Sequence, residues 1–261
     1  MMLRSRGLFF AVLVTVGFAG PAAETVRGDA LDRLRRADAN WTYMDSDFSA
    51  EYRIVQDTPG EGRSVTVAAL FRRDRQNIYT IIILEPPADR GQGYLKQGDT
   101  LWVYDPDSGR FNTTSSRERF QNTNARNSDF TRSTLAEDYR ILSVEPVRLG
   151  RFDAFLYELE SDEPGVTYPY MKVWITDDGR ILKTEDYSLS RQLLRVTAVP
   201  SYLQIGGKAI PEHVYIVDLL EGAVINGEFV HERTIVTVSS PSFAPISNSV
   251  FTKTFLERAS R

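Results

Sequence analysis

Residues Gly91–Phe130 read GQGYLKQGDTLWVYDPDSGRFNTTSSRERFQNTNARNSDF, and this stretch decides the fold class. Thr100-Leu-Trp-Val-Tyr-Asp105 is an aromatic, β-branched run, Pro106-Asp-Ser-Gly-Arg110 turns the chain, and Phe111 begins a returning strand. Pro106 presets a turn φ and Gly109 can take the positive φ that such a turn needs, so a β-hairpin is expected. From Asn112 to Ser128 the chain becomes rich in Asn, Ser and Arg and is long for a hairpin connection. Loops of that kind are functional or mobile. The composition predicts a mobile one, with Arg117, Arg119 and Arg126 available to an anionic head group or a partner.

Outward from the hairpin the period stays near two. Phe48, Ala50, Tyr52 and Ile54 alternate with Ser49, Glu51 and Arg53, the pattern of a half-buried strand. Val65, Val67, Ala69 and Phe71 alternate again, although Leu70 makes that strand apolar on both faces. Ile78–Leu84 is the most apolar strand of the mature chain, which predicts cover on both sides, by a packed helix or by a ligand. Further strands are expected at 139–147, 154–160, 170–176, 181–187, 214–220 and 228–239. Asp178-Gly179, Gly206-Gly207 and Asn226-Gly227 supply the turns. Roughly ten to twelve strands result. Helical spacing is confined to 24–40, with Asp29 as a cap and Leu31, Leu34 and Ala37 on one stripe, and to a short piece near 134–139. No composition break or repeat divides the chain, so one mainly β (α+β) domain is predicted over 24–261, built on a single curved antiparallel sheet.

Residues 1–23 have the build of a cleaved secretory signal. Arg4 and Arg6 precede an apolar core over 8–18, and Gly20-Pro-Ala-Ala23 offers small residues for cleavage. The apolar run is shorter than a membrane-spanning helix needs. Loss of this segment leaves 29 basic against 35 acidic side chains, a balance opposed to nucleic-acid binding. There is no cysteine, hence no lipidation site after the signal and no disulfide. A periplasmic protein stabilised by its core alone is the expectation.

Chemistry is sparse. His213 and His231 are the only histidines, too few and wrongly spaced for a metal site, and no Gly-x-Ser-x-Gly elbow is present. Asp105-Pro-Asp-Ser-Gly109 begins like a calcium loop but lacks the later ligands. No Gly-rich phosphate loop precedes a helix. No catalytic residue, metal or cofactor is predicted, and no enzyme. The abundant feature is apolar surface. Phe48, Tyr52, Ile54, Val67, Ile81, Ile83, Phe155, Tyr157, Val173 and Ile175 are the candidates for an apolar, ligand-binding concave face, because polar residues hold the alternate positions. Plain core is the competing reading for each of them.

The chain resembles the LolA-like family of outer-membrane lipoprotein-sorting proteins. The likeness rests on the N-terminal helix leading into Asp47-Phe48-Ser-Ala-Glu-Tyr52, on Gly93-Tyr-Leu-Lys-Gln-Gly-Asp-Thr-Leu-Trp-Val-Tyr-Asp-Pro106, on Ser128-Asp-Phe130, and on Ala244–Thr252. It implies an incomplete β-barrel of about eleven strands with short helices as a lid over an apolar cavity. It further implies a monomeric periplasmic carrier of lipoprotein or lipid acyl chains, loaded by an inner-membrane export complex. The alternative is an envelope sensor or partner-binding module of the RseB type. The arginine that holds the carrier's lid shut has no assigned counterpart in this sequence.

Overall fold

The computed structural model describes residues 21–163 and 166–259. The expected signal falls outside them except for its last three residues, which begin helix α1 (Pro21–Ala39). Asp29, expected as a cap, therefore lies inside the helix. Two more helices follow, α2 (Leu135–Asp138) and α3 (Lys253–Ala259).

The rest is one antiparallel sheet of thirteen strands rather than about eleven. In the N-terminal half these are β1 (Phe48–Thr58), β2 (Gly62–Arg73), β3 (Ile78–Glu85), β4 (Gly93–Gln97), β5 (Thr100–Asp105) and β6 (Arg110–Thr114). In the C-terminal half they are β7 (Arg140–Leu149), β8 (Phe152–Glu160), β9 (Tyr170–Ile175), β10 (Ile181–Tyr187), β11 (Leu193–Ile205), β12 (Lys208–Ile225) and β13 (Glu228–Ser242). Strand β11 escapes a pattern reading because Pro200 interrupts it, and a proline normally demotes a strand. The ladder to β12 absorbs it in a register shift between Ala198 and Ser201. The hairpin predicted at Pro106–Arg110 is present, with the Asp105 carboxylate accepting from the Asp107 amide at 2.9 Å and the Ser108 hydroxyl at 2.8 Å.

The order of the strands is 6-5-4-3-2-1-13-12-11-10-9-8-7. Two meanders meet at one seam, where β1 pairs with β13 from Ser49↔Ser242 to Asp57↔Arg233. The first meander runs outward and ends at one edge of the sheet. The second begins at the other edge, so the chain between β6 and β7 must cross a face of the sheet to connect them.

Two faces are buried by different means. On the convex side, α3 covers β3–β5, with Leu256, Phe255 and Phe71 packing beside Ile82, Leu95 and Tyr104. Gly93 permits that contact, since a Cβ there would sit 2.5 Å from the Leu256 side chain. This outer cover corrects the reading of β2. Its concave residues are Thr66, Ala68 and Leu70, while Val67, Ala69 and Phe71 face outward. Alternation could not fix the register because α3 makes both sides apolar.

The seam is clamped at one end by a buried ion pair. The Asp47 carboxylate accepts from Arg73 Nε and Nη2 at 2.9 and 2.8 Å and from the Ile246 amide at 2.8 Å, and Arg75 lies 2.8 Å away. Arg73 also donates to Asn248 Oδ1 at 2.6 Å, tying β2 to the segment after β13. The Arg73 hydrogen bonds hold the Asp47 carboxyl well below the usual carboxylate range. Arg73→Met, which leaves the buried carboxylate only the part-exposed Arg75 and the Ile246 amide, is expected to lower unfolding free energy by about 3 kcal/mol in denaturant titration. A depressed carboxyl stabilises the fold above its unfolded pKa of about 3.9 and loses that contribution as pH falls further. Asp47→Asn should therefore flatten the acid limb of the stability profile below about pH 4.

Candidate functional site

The concave face divides into two apolar floors, each with its own cover. The first floor is Phe48, Ala50, Ile54, Ala68, Leu70, Ile81, Ile83 and Tyr94, with Tyr52 at its margin. The second is Tyr157, Leu159, Val173, Ile175 and Ile181, with Phe155 at its margin. Of the ten residues expected to line a concave face, nine lie on it in these two groups. Val67 alone is on the convex side, where it lines a groove of about 410 Å³ with Ile82, Leu84 and Arg90. Phe155 borders a separate groove of about 400 Å³ near Pro146 and Asp177.

The first floor is covered by the connection from β6 to β7. This segment was expected to be mobile, and the structure corrects that. Residues 118–127 fold back on themselves as a small hairpin, with Phe120 N–H donating to Ala125 O at 2.8 Å and Asn127 N–H to Glu118 O at 3.0 Å. Gln121 and Asn122 adopt left-handed φ values of 51° and 56° at the tip, the turn chemistry that suits a two-residue hairpin connection. The hairpin drives Phe120 into the first floor, where its ring lies 4.8 Å from Tyr94 and 4.6 Å from Phe130. Phe120 and Ala125 are 0 % and 1 % exposed. The segment is a plug.

Its hold on the sheet is chiefly polar. Arg119 reaches Asp218 at 3.0 Å, Glu232 at 3.4 Å and Glu221 at 3.8 Å. The Asn124 amide donates to Thr234 Oγ1 at 2.9 Å and to Gln56 Oε1 at 3.2 Å. Arg126 donates to the Tyr168 hydroxyl at 2.7 Å and to Arg117 O at 2.6 Å, while Arg117 donates to Val166 O at 3.0 Å. The three arginines expected to be available are thus engaged. At the far end Asp129 receives two bonds from Arg195 Nη1, at 2.8 and 3.1 Å, and Arg195 Nε donates to buried Asp186 at 2.7 Å. Burial alone would lower the Arg195 pKa, but Asp129 and Asp186 raise it well above the usual arginine value. The Asn124 carboxamide, in a residue 2 % exposed, finds no protein partner among the described residues.

The second floor is covered by α1, whose Ala30, Leu34 and Ala37 are buried against it. Arg33 fastens the helix. Its Nη1 donates to the Tyr157 hydroxyl at 3.1 Å and its Nη2 to Asp177 at 3.1 Å, with the guanidinium 3.5 Å from the Phe155 ring centroid. Asp38 caps the other side, accepting from the Ser133 hydroxyl at 2.6 Å and the Leu135 and Ala136 amides at 2.9 and 2.8 Å. At the turn after β9, Gly179 has φ 84°, and a Cβ there would lie 2.7 Å from the α1 backbone at Arg36. Burial in the floors pushes the Tyr52 phenol up to about 12 and raises Tyr157 as well.

Reactive chemistry is thin by contrast. Ser201 Oγ lies 2.9 Å from His213 Nδ1, but Glu212 approaches that same nitrogen at 3.6 Å. A serine–histidine–acid relay needs the two groups on opposite ring nitrogens, so this arrangement does not form one. His231 stacks edgewise 5.0 Å from Phe229. Among the described residues no group of three or more His, Cys, Asp or Glu side chains is placed to hold a metal ion. Nor is any described helix long and apolar enough to cross a membrane.

The plug is held at its C-terminal end by Asp129, and that hold is separable from the fold. Asp129→Asn removes one charge from Arg195 and leaves its Asp186 partner in place. Hydrogen exchange of amides 118–130 is expected to speed up by roughly tenfold or more, as loss of an ion-pair hydrogen bond worth about 1.5–3 kcal/mol implies, with β1–β3 amides unchanged.

No curated protein matches the chain. Solved structures do. A LolA superfamily protein from Nitrosomonas europaea aligns with TM-score 0.71 and 24% identity over 87% of this chain and 98% of its own. A protein from Vibrio parahaemolyticus described as a putative outer membrane lipoprotein-sorting protein domain aligns with TM-score 0.74 and 20% identity over 87% and 98%. A DUF1329 family protein from Desulfovibrio piger gives TM-score 0.73 and 18% identity over 88% and 98%. A family model described as "Uncharacterized protein" matches residues 75–258. The chain therefore belongs to that family of uncharacterized proteins, and its fold is that of the LolA superfamily.

Proposed function

We propose that this protein is an exported, periplasmic carrier that binds acyl chains of lipoproteins or lipids on its concave face and delivers them toward the outer membrane. The observation that carries the reading is the plug. A wide apolar floor is covered by a segment that contributes few apolar side chains to it, Phe120, Ala125 and Phe130, and is otherwise held by hydrogen bonds and ion pairs.

The energetics favour exchange. Returning two phenylalanines to water costs about 1.5–3 kcal/mol each. A long acyl chain placed on the same floor gains about 0.8 kcal/mol per methylene, on the order of 10 kcal/mol in all. The plug's polar groups regain water, but buried partners such as Gln56 and Thr234 come to face the cargo. Each lost hydrogen bond therefore opposes displacement by about 1 kcal/mol or more, and the gain outweighs these losses only when most of the chain's methylenes are buried. One chain can displace the plug, and the closed state keeps the floor from open water when no cargo is present. Opening α1 over the second floor would expose further apolar surface for a second chain. The likeness to a lipoprotein-sorting protein domain supports the same reading.

The test is native mass spectrometry with lipid extraction on protein taken from the periplasm of its host, followed by titration of the delipidated protein with a fluorescent fatty acid. Stoichiometric acyl lipid is expected. Ile83→Trp, which fills the first floor from below a site that is 0 % exposed, should weaken acyl binding at least about tenfold. Circular dichroism would check that the variant is folded. A lipid-free protein that takes up no acyl ligand, or undiminished binding by a folded Ile83→Trp variant, overturns the proposal.

A further inference from the structure

Beyond the seam, β12 and β13 continue as a pair, with Ile225 near the β1–β2 turn, its Cδ1 3.8 Å from where a Cβ on Gly60 would sit. The ladder of β11 with β12 ends at Arg195↔Asp218, and that of β1 with β13 ends at Asp57↔Arg233. After a register shift between Val217 and Gly222, the two strands pair again through Gly222↔His231, Ala223↔Val230, Val224↔Phe229 and Ile225↔Glu228. The turn uses Asn226 and Gly227 at φ 53° and 86°. Gly222 makes the departure possible, because a Cβ on it would meet Val230 O at 2.2 Å. The result is a two-stranded ribbon, and among the described residues no third strand pairs with either edge of its Gly222–Ile225 and Glu228–His231 arms.

The ribbon's composition does not suit open water. Leu220, Val224, Ile225 and Phe229 are 55, 66, 36 and 53 % exposed. A lone hairpin is marginal in water even without such a surface, and clustered exposed apolar residues mark a contact site. Charge decides what the contact is. Between Leu219 and Glu232 the charged side chains are Glu221, Glu228 and Glu232, with no lysine or arginine. An anionic bilayer surface repels such an element, and segments that lie in the headgroup region carry basic residues. Arg119 at the ribbon's base already pairs Asp218, Glu221 and Glu232, which leaves the exposed Glu228 as the ribbon's charge for a partner.

We propose that the Gly222–His231 ribbon is a docking element for a protein partner that offers an apolar socket bordered by lysine or arginine side chains. The unpaired edges supply main-chain donors and acceptors for strand addition, the exposed Val224 and Phe229 supply the apolar anchor, and Glu228 meets the basic border. The inference is independent of whether the concave face takes an acyl chain.

The test places a photo-crosslinking residue at position 224 or 229 of the full-length chain in its own host. Position 44, where Met44 is 50 % exposed and precedes the end of β1 opposite the ribbon, is the control. A single protein captured at 224 and 229 and absent at 44 is then purified, and its affinity measured. Support requires that binding weaken roughly tenfold or more in Val224→Ser/Phe229→Ser and in Glu228→Lys, as for anchor residues at other interfaces, and that it fall with added salt. Absence of a specific adduct, or an affinity indifferent to these variants, overturns the proposal. So does ribbon-dependent flotation with phosphatidylethanolamine–phosphatidylglycerol vesicles, which would assign the ribbon to lipid. Ribbon-dependent dimerisation in sedimentation velocity, without a second protein, overturns it in favour of self-association. All the substituted side chains are exposed, so loss of binding is separable from misfolding by near-ultraviolet circular dichroism.

Discussion

The pairing of β1 with β13 is the constraint on which the architecture depends. It joins the start of the domain to its end through a continuous antiparallel ladder, and the Asp47–Arg73 pair locks that ladder to the segment following β13. With this seam in the middle of the sheet, both meanders must grow outward from it, and their remaining ends finish at opposite edges. The connection between them has to cross the sheet. The crossing is thus a consequence of topology: a chain that leaves one edge and re-enters at the other passes over a face of the sheet, and Phe120, Ala125 and Phe130 seat it on the concave one.

That origin explains why the plug looks unlike a core element. It is rich in Asn, Ser, Thr and Arg, and its polar groups find partners on the sheet, in Gln56, Thr234, Asp218, Glu232 and Arg195. A cover made by burying apolar side chains would be costly to lift, since each aromatic residue carries a few kcal/mol of transfer free energy. A cover held by hydrogen bonds gives up about 0.5–1.5 kcal/mol for each bond that water replaces, and more where a buried partner is left unpaired. The face beneath it is apolar, the surface that the proposed hydrocarbon cargo requires. Helix α1 over the second floor is held differently, by buried Ala30, Leu34 and Ala37 together with the polar ties of Arg33 and Asp38.

The surfaces outside the concave face divide by how they are finished. Strand β7, an edge of the sheet, is blunted by Pro146 and by a register shift between Ile141 and Ser143, devices that discourage strand addition. The convex side is sealed by α3 over Gly93. The ribbon beyond the seam has neither protection, and its apolar residues stay exposed. That contrast singles it out among the described surfaces.

The mainly β class, the hairpins at Pro106–Arg110, Asp178-Gly179 and Asn226-Gly227, and the concave placement of Phe48, Ile54, Ile81, Ile83, Tyr157, Val173 and Ile175 were legible in the sequence. Each depends on local periodicity or on turn chemistry at adjacent positions. Three things were decided only by tertiary structure. Val67 faces outward because α3, seven residues long and too short to show a helical period, makes both faces of β2 apolar. Strand β11 forms across Pro200 because its neighbour accommodates a register shift there. The polar stretch after β6, read as a mobile loop, became a plug because partners 66 to 113 positions away along the chain meet it on the concave face. Hydrogen-bond partners at such separations leave no periodic trace in sequence. They exist only once the β1–β13 seam has curved the sheet around them.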